Sequence, residues 1–212
     1  MLAHLNLNKT SAVGATIPGV PVIFSGKNDN IAWGSSFSFV DDQDLYFEKL
    51  NLENNKEYLS PSGYKEFSTE KKLIKVKNNA TRSFLVKRTE SRVIIPHELY
   101  RMQSVVPQGF LISLAWTGFN RNDTTMEAFL KLMSATNVKD FKAKIPNNNS
   151  FNLIFVIADE TEVNSVFIGD APKRSKENET KSQVISLGWK TENQWDLSLK
   201  KEIQPMFLSN KG

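Results

Sequence analysis

Apolar residues recur along this chain mostly in short runs with a period of two, bounded by Gly, Pro, Asn and Asp. That pattern predicts strands joined by tight turns. A turn-rich entry over residues 1–16 closes on a short strand, Ala12 to Thr16. Val22 to Phe24 and Ile31 to Phe39 read as paired strands with a turn at 26–30 between them, and Leu45 to Leu50 as a third strand. Lys72 to Lys77 alternates as Lys-Leu-Ile-Lys-Val-Lys, a half-buried strand with its lysines on the wet face. Asn78-Asn79 turns it back into Ser83 to Thr89. Phe110 to Trp116, Leu153 to Ala158 and Val163 to Ile168 are further strands. The period changes once. Met126, Phe129, Leu130 and Met133 fall at i, i+3, i+4 and i+7 behind the cap candidates Asp123-Thr124-Thr125, which predicts a helix with those four residues as its core stripe. A second helix is expected over Val138 to Lys142, ended by Pro146. No repeat and no internal domain boundary is visible, and the fold class is α+β with strands dominant.

Composition narrows the function. At 212 residues with 40% hydrophobic content, fourteen Phe and four Trp, the chain can bury a substantial core. Its net charge of +4 is scattered among 23 acids, without the clustered basic face and stacking aromatics of a nucleic-acid binder. The absence of cysteine removes thiol nucleophiles, Cys-ligated zinc and disulfides. No apolar run approaches the roughly 20 residues of a membrane helix. Met1-Leu2-Ala3-His4 lacks the basic start and apolar stretch of a signal peptide. Sequons begin at Asn8, Asn79, Asn122, Asn148 and Asn178, as an Asn-rich chain yields by chance.

Several ordered pieces carry a resemblance. They are Pro18-Gly19-x-Pro21, Gly26-x-Asn28, Ile31-Ala32-Trp33-Gly34 and Asp42-Gln43-Asp44-Leu45-Tyr46-x-Glu48, followed by Leu114-x-Trp116-Thr117-Gly118 with Thr124-Thr125. Ala158-Asp159, Pro172-x-Arg174, Gly188-Trp189, Trp195, Pro205 and Asn210 complete the order. Together they make the sequence resemble the penicillin acylase family of N-terminal-nucleophile hydrolases, over nearly its whole length. The resemblance implies an αββα-type core and hydrolysis of linear amides of the penicillin or N-acyl amide type. In that chemistry the hydroxyl of a chain-initial serine attacks the carbonyl while its own α-amino group acts as base. It further implies that the serine, a small α chain and the rest of the large chain lie outside these 212 residues, so that the chain reads as an internal fragment.

Site residues follow from the resemblance position by position. Ala3-His4-Leu5 matches the segment whose histidine backbone lies beside the nucleophile; a lone surface histidine is the alternative for His4. Phe37 stands where a backbone N–H donates to the oxyanion, a role any residue type can fill. The second oxyanion donor is an Asn side chain four residues before the Ala-Asp pair. Here that place is Ile154, and Asn152 lies two residues earlier. Arg174 matches an arginine near the site of some members, or is a solvated loop residue. Thr89-Glu90-Ser91-Arg92-Val93 departs from the family's Thr-Arg-His-Gly-Pro. Asp41, Gln43 and Asp44 match a position where some members hold Ca²⁺, which takes six to eight oxygens; a turn capping its own N–H groups is the alternative. Three readings therefore stand: part of an amidohydrolase, a non-catalytic remnant or binding module of the same fold, and a glycosylated structural domain.

Overall fold

In the computed structural model, residues 1–7, 10–97, 104–146, 149–181, 183–196 and 201–202 are described. Pro205, Asn210 and the sequons at Asn8 and Asn148 lie outside them. The strands are, in order, β1 (Leu2–Leu7), β2 (Thr10–Ala15), β3 (Ser25–Lys27), β4 (Ala32–Phe37), β5 (Gln43–Lys49), β6 (Glu57–Ser60), β7 (Gly63–Glu66), β8 (Ser68–Ile74), β9 (Arg82–Arg88), β10 (Val93–Ile94) and β11 (Phe110–Trp116). Helices α1 (Thr125–Met133) and α2 (Val138–Lys144) follow. Then come β12 (Leu153–Ala158), β13 (Val163–Ile168), β14 (Asp170–Ala171), β15 (Ser186–Leu187) and β16 (Lys201–Glu202). The strand-dominated α+β class read from the sequence is what forms.

The chain divides into two compact units, one of Met1–Val40 and Thr117–Ala171 with the C-terminal residues, the other of Asp41–Trp116 and Pro172–Leu199. The sequence hides this division because the chain passes between the units four times and no linker-like composition marks the passages.

The first unit is a six-stranded antiparallel sheet in the order β1-β2-β3-β4-β12-β13 with two helices. Alternation on β12 sends Leu153, Phe155 and Ile157 into the core. Phe155 is fully buried, with its ring 5.2 Å from Phe129 of α1 and 5.9 Å from Phe141 of α2, both edge-on. The core face of α1 is Thr125, Ala128, Phe129, Leu132 and Met133. Met126 and Leu130, expected in that stripe, are 43% and 46% exposed, so the face is rotated from the predicted one. Asn28 closes the predicted turn: its Oδ1 accepts the N–H groups of Asn30 and Ile31. Its Nδ2 donates to the carbonyls of Met133 and Ala135, satisfying acceptors that the end of a helix leaves unpaired.

Two expectations at the start of this unit are corrected. Residues 2–7 form β1, because Ala3 and Leu5 pack against the core and the backbone pairs with β2 in register His4–Val13. Val22 to Phe24 is not a strand. Val22 and Ile23 drop into the core, and the strand begins at Ser25. There Gly14 faces Gly26 so closely that a Cβ on either would sit 2.2 Å from a backbone oxygen, which only glycine tolerates.

Asp159 braces α2. Its Oδ2 accepts the N–H of Val138 at 2.9 Å, and its Oδ1 accepts the N–H groups of Thr161 and Glu162. These donors, the Val138 N–H foremost, hold its pKa well below the usual aspartate range. A depressed carboxylate pKa contributes stability above the unfolded value of 3.8, and that contribution is lost as pH falls toward the folded value. Asp159→Ala should therefore cost about 1 kcal/mol at neutral pH. Urea titrations of both proteins should converge as the pH is lowered below that unfolded value.

The second unit has a six-stranded sheet in the order β15-β5-β11-β10-β9-β8, antiparallel except where β15 runs parallel to β5, and a separate β6–β7 hairpin. Tyr58, Phe67 and Ile94 form its apolar cluster. The β8–β9 hairpin departs from expectation: every residue of β8 is exposed, not half-buried. Between Ser68 and Arg88 stand seven Lys or Arg and one Glu, so this arm alone carries +6 against +4 for the whole chain. The turn at its tip is closed by the Asn79 N–H donating to the Val76 carbonyl, and Asn78 takes the left-handed φ of 58° there; the arm has few buried contacts to hold it. Limited trypsinolysis should cut first at Lys75, Lys77 or Arg82, before any site in the first unit.

Candidate functional site

Phe37 ends β4 opposite Leu153 of β12. One residue on, the Ser38 N–H donates to the Asn152 carbonyl at 3.0 Å. Ladder bonds alternate along an antiparallel pair, so the Phe37 N–H points to the other side of β4. β3 flanks that side only as far as Trp33. The Phe37 amide thus faces outward at a strand end, and its side chain is 68% exposed.

The structure brings Asn152 to Phe37 but not His4. Asn152 is buried, and its Nδ2 donates to the Asp170 carbonyl at 3.1 Å, with Gly169 packed against its Oδ1. Ile154 stands on the outward face of β12, 38% exposed. His4 is an exposed residue of β1, in the row of Val13, Lys27 and Ala32. That row lies three strands across and five residues along from Phe37, roughly 20 Å away by strand spacing and rise.

The second unit holds the other predicted residues. On β5 the inward positions are Asp44, Tyr46 and Glu48, so two acids occupy the phase that apolar residues usually take. Each has its own arginine. Arg174 Nε and Nη2 bind Asp44 Oδ2 and Oδ1 at 2.9 and 3.0 Å, and Nη2 also reaches the Asp41 carboxylate at 3.2 Å. The Trp195 indole N–H donates to Asp44 Oδ2. Burial of Arg174 works against its charge, but the Asp44 bonds outweigh this and raise its pKa. Gln43 lies on the exposed side of β5, opposite Trp116.

The second pair escaped the sequence reading. Glu48, fully buried, accepts Arg92 Nε at 2.7 Å and the Ser113 hydroxyl. Arg92 also donates to Gln194 Oε1 and the Gly188 carbonyl, and lies 4.4 Å from the Tyr46 ring centre. Burial pushes the Tyr46 phenol above its ordinary range, and its hydroxyl donates to the Asn193 carbonyl. The available signal was Glu48 sharing a strand phase with Tyr46, with Arg92 in the segment that departs from the family pattern.

Two further sequence features resolve here. A Ca²⁺ ion at the acidic corner would need oxygens that already face a guanidinium, so the donors as arranged do not fit it. Among the described residues no group of three or more His, Cys, Asp or Glu side chains gathers to hold a metal. The sequon at Asn178 is closed to glycans: its side chain is buried and its Oδ1 accepts N–H groups of Thr180 and Lys181. No helix among the described residues is long and apolar enough to cross a membrane.

Comparison with known proteins places this geometry. The chain is 28% identical over 189 residues to the acyl-homoserine lactone acylase QuiP of Pseudomonas fluorescens, covering 89% of this chain and 22% of that protein. It is 27% identical over 128 residues to penicillin G acylase of Escherichia coli, covering 60% of this chain and 14% of that protein. The chain thus spans about a fifth of the length of the acyl-homoserine lactone acylases it matches. The structure of a thermostable penicillin G acylase from Alcaligenes faecalis superposes with a TM-score of 0.80 at 22% identity, over 99% of this chain and 36% of that one, which shows a shared fold. The penicillin amidase family description matches residues 1–210, and the chain belongs to that family.

Proposed function

We propose that this chain forms part of an acylase that hydrolyses a linear secondary amide, with the Phe37 backbone N–H as a donor to the tetrahedral oxyanion. The observation that carries the reading is that amide's direction, away from β12 and past the end of β3. The attacking hydroxyl belongs to a chain-initial serine outside these residues. It adds to the carbonyl carbon, the C–N bond breaks, and the amine leaves with the proton taken up by the serine's α-amino group. Water then hydrolyses the acyl ester. Preorganised N–H donors of this kind contribute about 2.7–4 kcal/mol to such a step. The longer match to relatives named as acyl-homoserine lactone acylases favours an N-acyl homoserine lactone as substrate over a penicillin.

A specific observation favours the second reading, a non-catalytic member of the same fold. The place of the second donor is Ile154, and Asn152 already donates to Asp170. The 212-residue chain alone should release no homoserine lactone from an N-acyl homoserine lactone and no amine from a phenylacetyl anilide. A form extended through the upstream coding sequence should do so. Turnover by the isolated chain would contradict the assigned nucleophile, and an inert extended form would establish the non-catalytic reading.

A further inference from the structure

We infer that the Arg174 guanidinium is the built-in cation of the acidic corner and stands where a metal ion would otherwise bind. Four oxygens converge on it: Asp44 Oδ2 at 2.9 Å, Asp44 Oδ1 at 3.0 Å, Asp41 Oδ1 at 3.2 Å and the Asp41 carbonyl at 3.3 Å. Two carboxylates and a main-chain oxygen within one reach are the donor set of a hard divalent cation. Here a planar fork takes both Asp44 oxygens side by side, the geometry in which arginine binds carboxylate most strongly.

Three features make the replacement exclusive. The Asp44 side chain is 2% exposed and that of Arg174 18%, so the pair is largely removed from water. A divalent ion sharing the Asp44 oxygens would sit beside a fixed positive charge with little solvent to screen it, although the Asp41 carboxylate at the rim is 61% exposed. Trp195 takes a further acceptor position: its indole N–H donates to Asp44 Oδ2, and its ring centre lies 5.9 Å from the guanidinium carbon. A backbone bridge between Arg174 and Trp195 holds donor and cation together. The corner therefore closes without a metal, whichever reading of the catalytic residues holds.

Thermal unfolding of the 212-residue chain in chelator and in about 10 mM CaCl₂ tests this, at a concentration suited to a weak, partly hydrated site. The wild-type Tm should be the same in both. Arg174→Ala and Arg174→Gln remove the guanidinium from the four oxygens, and Ca²⁺ should then raise Tm by roughly 3–8 °C. Tb³⁺ bound to either variant should show emission sensitised by Trp195, and the wild type should not. If a variant unfolds in chelator, Ca²⁺ should restore its folded signal. Adding Asp44→Asn to Arg174→Gln should abolish the Ca²⁺ response. A wild-type Tm that climbs with Ca²⁺, variants that ignore the ion, or a response that survives Asp44→Asn would each overturn the inference.

Discussion

Arg92→Ala should destabilise the protein by about 3–5 kcal/mol, because it strands a carboxylate in a site closed to water. Glu48 is fully buried and Arg92 nearly so. The Ser113 hydroxyl already donates to Glu48, and a neutral donor does not replace the lost positive charge. Gly188 leaves no room for rearrangement, since a Cβ there would approach Glu48 Oε2 to 2.5 Å. The same substitution removes the donor to Gln194 and the Gly188 carbonyl, and so loosens the link between β5 and the 188–194 turn. Replacing both partners by apolar residues, Glu48→Leu with Arg92→Met, should be far milder than the single change, since no charge is then left buried. Urea denaturation of the three variants measures the contrast. A loss below about 1 kcal/mol for Arg92→Ala would mean the pair is solvated, as surface pairs are.

Phe155→Ala should cost about 3–5 kcal/mol by opening a cavity in the first unit. The ring is fully buried at the meeting point of sheet and helices, edge-on to Phe129 and Phe141. Such pairs add about 0.5–1.5 kcal/mol beyond the area they remove from water. Phe129 also packs edge-on to Phe24 at 4.8 Å, so a void at 155 loosens a chain of three aromatic contacts. Phe155→Leu refills most of the volume and should cost less than half as much. Equal losses for the two substitutions would indicate that the rings, not the volume, hold the site.

What could be read from the sequence was set by local patterning. β11 and β12 have the predicted bounds because their apolar runs are continuous and end at Trp116 and at Ala158-Asp159. The β8–β9 turn was legible because Asn tolerates positive φ at Asn78. The strand before that turn forms over Ser68–Ile74 instead of Lys72 to Lys77 and is exposed throughout: alternation predicts one buried face only where another layer arrives to cover it. The 22–27 segment failed for a tertiary reason, since Val22 and Ile23 are apolar to fill the core and not to pair. At the candidate site, the resemblance aligned Phe37 and Asn152 onto paired strands, but local sequence carried no measure of how far His4 lies from them. The arginine partners of Asp44 and Glu48 stand 130 and 44 residues away in sequence, beyond any spacing rule. The sign that such partners exist was present: a strand whose inward phase reads Asp, Tyr, Glu needs cations supplied from elsewhere.

Amide hydrogen exchange at two adjacent residues tests the catalytic reading most directly. Ser38 donates into the β4–β12 ladder, and Phe37 points away from it. In the ¹⁵N-labelled chain the Phe37 amide should exchange at least about 100-fold faster than that of Ser38, as an open donor does beside a bonded one. Protection of Phe37 equal to that of Ser38 would mean its N–H is already paired within the protein, and would remove the donor on which the proposed amide hydrolysis depends.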